Sequence, residues 1–108
     1  MASSSRTLEG AEILRQIAKE DGQGDLAVLL DCWLLAARKA QDYQGGSVHR
    51  DEYFPFGAKS YITMLVVKVK RLVSLANQDT QPVHEGMVDS ARDLINYAAF
   101  FVERMERK

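Results

Sequence analysis

The segment Tyr61-Ile-Thr-Met-Leu-Val-Val-Lys-Val-Lys-Arg-Leu-Val-Ser-Leu75 is rich in β-branched residues, which favour a strand, but its length favours a helix. The apolar pattern runs from Gly57 to Asn77 without a turn signal, which is longer than a normal strand. Winding it at about 100° per residue also gathers its polar residues on one side. We therefore predict a helix over residues 57–77. Because it is apolar nearly all round, we expect neighbours to contact it from several directions.

Three further segments show the helical spacing of apolar residues. We predict a first helix over residues 7–21, with Thr7 as its N-cap and the glycines of Asp21-Gly-Gln-Gly24 at its end. A second helix is predicted over residues 25–41, with an apolar stripe opposite a polar one. The apolar stripe comprises Leu26, Leu29, Leu30, Trp33, Ala37 and Ala40, and the polar one Asp31, Arg38 and Asp42. A last helix is predicted over residues 82–107, with Pro82 in its first turn.

The remaining segments are irregular. Residues 1–6 are small and polar, and we interpret them as a flexible tail. Residues 43–56 combine turn formers with aromatic residues and form a long connection. The sequence thus predicts an all-α fold, a small four-helix bundle with a long loop between helices 2 and 3, in one domain over residues 7–108.

The composition is that of an ordinary globular domain, with 46% apolar and 27% charged residues in a chain of 108 residues. A net charge of −1 gives no general attraction for a nucleic acid polymer or an anionic membrane, so any phosphate binding must be local. No apolar run reaches the roughly 18 residues of a membrane span, and the N-terminus lacks the apolar core of a signal peptide. We therefore expect a cytoplasmic protein without a membrane partner. Because a core this small is marginal, we also expect a homo-oligomer.

The predicted last helix carries a polar stripe nearly opposite its apolar one. It comprises Glu85, Asp89, Asp93 and Asn96. Carboxylates spaced four residues apart on a helix repel each other by about a few tenths of a kcal/mol, so a cation among them would relieve the repulsion. A solvated face is the alternative. However, Phe100 falls inside the stripe and Tyr97 at its edge, and a simply solvated face would rarely carry such large aromatic side chains.

A basic residue, Lys68, lies on the apolar side of the predicted third helix. An unpaired buried ammonium costs several kcal/mol, so Lys68 should either extend to solvent or meet a carboxylate of a neighbouring helix. Arg71 points to nearly the same side, and its planar guanidinium suits a carboxylate or a phosphate. Two interpretations stay open for these residues: a structural salt bridge with Asp89 or Asp93, and the binding of an anionic ligand.

Acidic and basic residues on adjacent helices suit a metal-bound phosphate. Mg²⁺ prefers oxygen ligands and is usually bound by about one or two carboxylates together with substrate phosphates and water. Lysine and arginine beside the metal would neutralise the phosphate oxygens that it leaves free. The spacing supports no Ser/His/Asp or Cys/His arrangement, so no catalytic residue is assigned. The sequence therefore predicts a site for Mg²⁺ and a phosphate ligand on the last two helices.

Four segments occur in this order: Lys39-Ala-Gln-Asp-Tyr-Gln-Gly45, Phe56-Gly57, Lys68-Val-Lys-Arg-Leu72 and Glu85-Gly-Met-Val-Asp-Ser-Ala-Arg-Asp-Leu-Ile-Asn-Tyr97. Together they resemble the phage and bacterial nucleotide modification associated domain. The implied metal ligands are Glu85, Asp89 and Asp93. The implied substrate-binding residues are Lys68, Arg71, Asp42, Tyr43, Asn96 and Tyr97. Asp93 is alternatively the partner of Lys68, and the ring of Tyr43 or Tyr97 would offer a base a surface to stack on.

That family is distantly similar to the MazG-type all-α nucleotide pyrophosphatases, which implies Mg²⁺-dependent hydrolysis of a nucleoside triphosphate. Those enzymes carry two acidic pairs. Here the second helix offers only Asp31 and Asp42, whereas Glu9 and Glu12 have the required spacing on the first helix. Three functions therefore stay open: a nucleotide-binding protein with pyrophosphatase activity, a non-catalytic protein that sequesters a nucleotide, and a structural helical oligomer.

Overall fold

The computed structural model describes residues 5–44, 54–78 and 82–107, apart from the side chains of residues 40–44 and 82–84. These residues form helices and turns and contain no strand. The helices are α1 (Ser5–Glu20), α2 (Gly24–Gln44), α3 (Ala58–Ala76) and α4 (Pro82–Glu106). The all-α class and the four predicted helices are confirmed. None of the described helices is both long enough and apolar enough to cross a membrane.

The helix ends differ from the prediction mainly in the first half of the chain. Helix α1 begins at Ser5, so Thr7 lies inside it and the prediction of Thr7 as an N-cap is wrong. Helix α2 continues to Gln44, beyond the predicted end at residue 41. The predicted long connection therefore starts later, and the structure describes only its last residues, which form a turn at 55–57.

The predicted glycine end of α1 is confirmed in detail. Gly22 has a φ of 72°, in the left-handed region that glycine adopts without strain. The amide of Gly22 donates to the carbonyl of Lys19, and the amide of Gln23 donates to that of Ala18. This pair of hydrogen bonds is the Schellman motif, and it ends the helix by satisfying its last carbonyls.

The helices divide into two compact units, residues 1–52 and residues 53–108. The first unit contains the packed pair α1 and α2, and the second contains the packed pair α3 and α4. The single-domain organisation expected from the sequence stays a prediction.

In the first unit, α2 packs on α1 through a face that the sequence pattern assigned to the polar side. Asp31 forms an ion pair with Arg15 of α1, and Arg38 forms one with Glu12, 2.7 Å between Nη2 and Oε1. Among the described residues of the unit, the buried side chains are those of Ala18, Ala27, Cys32, Leu34 and Ala37. Leu29, from the predicted apolar stripe, is instead exposed. The predicted core face of α2 is therefore wrong in part, because α1 supplies charges that match Asp31 and Arg38.

In the second unit, α3 and α4 run antiparallel. Lys68 contacts Asp93, and a Cβ built on Gly86 would lie 3.3 Å from a methyl of Leu75. Residue numbers therefore rise along α3 as they fall along α4. Five branched residues of α3 stay roughly half exposed: Ile62, Val66, Val67, Val69 and Val73. Among the described residues of this unit, α4 is the one helical neighbour of α3, so the expected contact of α3 from several directions stays a prediction.

Candidate functional site

An aromatic cluster joins the start of α3 to the second half of α4. The rings of Phe54 and Tyr61 stack with 4.2 Å between centroids and 11° between planes. The ring of Tyr97 meets Phe54 edge-on at 5.9 Å and Phe100 edge-on at 6.1 Å. Tyr61 is fully buried, at 0% exposure. The prediction that Tyr97 and Phe100 do not lie on a simply solvated face is therefore confirmed.

A tight turn before α3 positions Phe54 in this cluster. The amide of Gly57 donates to the carbonyl of Phe54 at 3.2 Å, with Pro55 at the second turn position that its fixed φ favours. Gly57 has a φ of 59° and then serves as the N-cap residue of α3. The amide of Phe56 donates to the Ser60 hydroxyl at 2.9 Å. Phe54 therefore points inward, whereas Phe56 is 77% exposed.

The Lys68 ammonium lies beside this cluster and pairs with α4. Its Nζ is 2.8 Å from Oδ2 of Asp93 and 6.0 Å from the ring centroid of Tyr97. The Lys68 side chain is only 20% exposed and that of Asp93 34%. The ammonium of a lysine side chain this little exposed is stabilised by an anion, and the ring adds a weak cation–π attraction at the outer limit of its range. The expectation that Lys68 meets a carboxylate of a neighbouring helix is confirmed.

The other charged residues of the predicted site lie further along the same two helices. The contacts of Lys68 with Asp93 and of Leu75 with Gly86 set the register of the antiparallel pair. By that register, Arg71 of α3 lies at the level of Ser90 of α4, within one residue of Asp89. The side chains of Arg71 and Asp89 are exposed. Basic and acidic residues thus occur at nearly the same level of the hairpin, one helical turn from the Lys68 pair.

The acidic residues of α4 are the candidate ligands for a metal ion. Glu85 and Asp89 are exposed, and successive members of this stripe lie about 6 Å apart along the axis at 1.5 Å per residue. Asp93 already has Lys68 as its partner. Within the described residues, no group of three or more His, Cys, Asp or Glu side chains is arranged to hold a metal ion. Two exposed carboxylates still fit Mg²⁺, which commonly takes about one or two from the protein and the rest from phosphate and water.

The remaining predicted residues are placed as follows. Asn96 is half-buried on α4, next in sequence to Tyr97. Asp42 and Tyr43 belong to the last turn of α2, and their side chains lie outside the described residues. The roles assigned to these residues by resemblance stay predictions, as do those of Glu85, Asp89 and Arg71.

Sequence reasoning missed two members of the site. Phe54 and Tyr61 form the stacked pair that supports Tyr97, yet neither was assigned a role. A usable signal was present in Phe54-Pro-Phe-Gly57, because a proline with a glycine two residues later marks a tight turn. Such a turn directs the first aromatic residue back toward the following helix.

Comparison with known proteins adds one match. The family model described as Nucleotide modification associated domain 1 matches residues 39–104, which include α3 and most of α4. No curated protein and no solved structure matches the chain. The match contains the Lys68–Asp93 pair, the aromatic cluster and the acidic residues of α4.

Proposed function

This chain belongs to the Nucleotide modification associated domain 1 family, and on that premise we propose that its α3–α4 unit binds the phosphates of a nucleotide together with Mg²⁺. The observation that carries the proposal is the position of Lys68. Its side chain is largely buried and its ammonium lies close to a carboxylate and an aromatic ring, in the part of the chain that matches the family. A positive charge fixed in this way is pre-organised for an anion.

The basic residues of α3 supply the phosphate-binding side of the proposal. Lys68 and Arg71 are three residues apart, so they lie on nearly the same side of the helix, about 4.5 Å apart along its axis. A lysine presents a compact charge, whereas an arginine presents a planar fork that binds two phosphate oxygens at once. The two residues together suit a ligand with more than one phosphate.

The acidic residues of α4 supply the metal-binding side. Glu85 and Asp89 would hold Mg²⁺ through one oxygen each, with the nucleotide phosphates and water completing its coordination. When bound, the metal would neutralise phosphate charge that the two basic residues leave unbalanced. Asp93 is paired with Lys68, and its role as a third metal ligand stays a prediction.

Two outcomes of binding follow for a nucleoside triphosphate: hydrolysis with release of diphosphate, as in a pyrophosphatase, or retention without reaction. The ion pairs of the first unit favour retention. Glu12 is engaged by Arg38, and Asp31 is engaged by Arg15. One member of each candidate for a second acidic pair therefore already has a cationic partner. We propose nucleotide sequestration as the alternative to MazG-like hydrolysis.

A nucleotide panel tests the proposal. We expect at least one nucleotide, at about 100 times its dissociation constant with Mg²⁺, to raise the free energy of unfolding by about 2.7 kcal/mol in a thermal-shift experiment. Lys68→Met should abolish the shift. Lys70→Met is the matched control, because Lys70 is an exposed lysine two positions along α3, on another side of the helix.

The same panel separates the alternatives. Chromatography of the nucleotide after incubation distinguishes hydrolysis, which yields a monophosphate and diphosphate, from sequestration, which returns the ligand intact. If no nucleotide shifts the wild-type protein with or without Mg²⁺, the binding proposal is wrong. If Glu85→Gln with Asp89→Asn changes only melting or assembly, a structural helical oligomer is the better description.

We also propose that the protein forms a homo-oligomer in the cytoplasm. The support for assembly is the row of Ile62, Val66, Val69 and Val73 on α3. Their alternating spacing of four and three is that of a coiled-coil seam, which a second copy of the same helix would match. A nucleotide ligand agrees with the cytoplasmic location expected from the sequence, which stays a prediction.

A further inference from the structure

Each helix of the second unit carries a row of apolar residues at coiled-coil spacing. The α3 row comprises Ile62, Val66, Val69 and Val73, all roughly half exposed. On α4, a longer row alternates steps of three and four residues in the same way. This α4 row comprises Val88, Ala91, Ile95, Ala98, Val102 and Met105. Among its members, Val88, Val102 and Met105 are about as exposed as the α3 row, and the other three are half-buried.

The two rows lie on the same side of the α3–α4 hairpin. On each helix, the centre of the row lies roughly 130° beyond the side that contacts the other helix, counted at about 100° per residue toward higher residue numbers. Seen from one end, two antiparallel right-handed helices turn in opposite senses. Equal offsets therefore place both rows on one side of the hairpin. Arg71 and Asp89 have offsets of the opposite sign, so they lie on the other side.

We propose that this apolar side docks against the same side of a second copy, with α3 of each chain packed antiparallel on α4 of the other. A two-fold axis parallel to the helices generates this arrangement, which is a four-helix bundle formed by two chains. The inference rests on the proposed homo-oligomer and deepens it, because it adds the α4 row to the interface and pairs unlike helices. It does not depend on nucleotide binding.

Charge decides between the two helices that a second copy could offer to α3. Helix α3 contains four basic residues and no acidic one. Helix α4 contains five acidic residues and two basic ones. A second α3 would match the α3 row in spacing, but it would bring two basic helices together. A partner α4 matches the spacing and carries the opposite charge, so it is the favoured neighbour.

The two rows also match in level along the helices. Lys68 is level with Asp93 and Leu75 with Gly86, so Val66 is level with Ile95. By the same register, every member of the α3 row lies within one residue of the level of an α4 row member. A two-fold axis along the helices leaves these levels unchanged, so each α3 row would meet its counterpart on the partner's α4 without a shift.

The first test asks whether the α4 row belongs to the interface. We expect Val102→Lys to sediment as a monomer at a concentration where the wild type is an oligomer, because an ammonium without a partner is costly in an apolar interface. Ala99→Lys is the matched control, since Ala99 is an exposed residue of the same helix outside the row. It should sediment as the wild type does. If Val102→Lys does not fold, Met105→Lys replaces it in the same comparison.

The second test identifies the neighbouring helix by disulfide formation between two tagged chains. Val66→Cys and Ile95→Cys are expressed together, then oxidised and analysed on a non-reducing gel. We expect a disulfide between the two different chains, because only cysteines with Cα atoms within about 7 Å can form one. Each variant expressed alone should form none. The native Cys32 is buried and should not react.

The outcomes separate this inference from the assembly on which it rests. If Val66→Cys alone forms the disulfide as readily as the mixed pair, or if the mixed pair forms none, the pairing of α3 with α4 is wrong. The same conclusion follows if Val69→Asp dissociates the oligomer but Val102→Lys does not, and assembly through the α3 row then stands. If the wild type is a monomer at every concentration, both the assembly and this arrangement are wrong.

Discussion

The ring of Phe54 stacks on that of Tyr61 at 4.2 Å, and this contact fixes the turn before α3 to the helix that follows it. The same ring also meets Tyr97 of α4 edge-on. Phe54 thereby links the start of α3 to the residue that lies beside the Lys68 ammonium. The geometry of the candidate site therefore depends in part on Phe54, an aromatic residue that precedes α3.

Replacement of Phe54 should therefore destabilise the second unit. We expect Phe54→Ala to lower the free energy of unfolding by about 2 to 3 kcal/mol, because it removes a large apolar ring together with its two aromatic contacts. Phe56→Ala is the matched control. It lies two residues away in the same turn but is 77% exposed, so its effect should stay below about 0.5 kcal/mol. Urea unfolding followed by near-ultraviolet circular dichroism measures both, and equal effects would contradict the assigned packing.

The close approach of α4 to α3 at Gly86 gives a second prediction. A Cβ at this position would lie 3.3 Å from one methyl of Leu75 and 3.7 Å from the other. Alanine is favoured over glycine inside a helix by about 1 kcal/mol, but the Leu75 methyls would have to rotate away. We expect Gly86→Ala to stabilise by only about 0.5 kcal/mol in urea unfolding.

The control for this substitution is Gly10→Ala in α1. A Cβ on Gly10 would meet nothing within 4 Å, so the full helix preference of about 1 kcal/mol should appear. If Gly86→Ala stabilises as much as Gly10→Ala, the two helices are not in close contact at Gly86 and Leu75. The register that places Arg71 within one residue of the level of Asp89 would then need revision.

The second unit shows how far sequence reasoning reaches. Residue Pro82 begins α4 as predicted, because a proline fits the first turn of a helix and the apolar spacing behind it is long and regular. The partner of Lys68 was also foreseeable, since an ammonium on an apolar helix face requires a nearby anion. Both conclusions follow from local chemistry, which a single sequence contains.

The first unit shows where such reasoning stops. On a helical wheel, Asp31 and Arg38 appear as a solvent face, but they meet Arg15 and Glu12 across the hairpin. A wheel treats each helix alone, so it misassigns a charged face whose opposite charges are on another helix. Stacking of Phe54 on Tyr61 escaped prediction for a related reason, because it depends on how a turn directs a side chain.

These ion pairs predict that Asp31 and Glu12 are not ligands of the metal. We expect Asp31→Asn and Glu12→Gln to leave Mg²⁺-dependent nucleotide binding unchanged, because both carboxylates already have cationic partners. Calorimetric titration of nucleotide with Mg²⁺ measures this. Glu85→Gln is the positive control and should weaken binding. Loss of binding in Asp31→Asn would instead support an acidic pair of the pyrophosphatase type.

The same two variants should differ in stability. The side chains of Asp31 and Arg15 are 36% and 33% exposed, whereas those of Glu12 and Arg38 are 53% and 60% exposed. Solvent screens the second pair more strongly. We expect Asp31→Asn to cost about 1 kcal/mol and Glu12→Gln less than about 0.5 kcal/mol, measured by urea unfolding through the fluorescence of Trp33 in α2.

The exposed row on α3 predicts how the protein assembles. Ile62, Val66, Val69 and Val73 are all β-branched and all between 46% and 57% exposed. Apolar side chains repeated at this spacing gain most when they insert between those of a second helix. We expect the wild type to sediment as an oligomer at micromolar concentration, and Val69→Asp to dissociate it, because a buried carboxylate without a partner costs several kcal/mol.

Lys70→Asp is the control for Val69→Asp, because it places the same carboxylate at the adjacent exposed position of α3 but outside the row. It should leave the sedimentation coefficient unchanged. If the wild type sediments as a monomer at every concentration, or if both variants dissociate it equally, the row does not join two copies. A dissociated Val69→Asp that still binds nucleotide would further place the complete ligand site within one chain, since Lys68 lies close to both Asp93 and Tyr97 of its own chain.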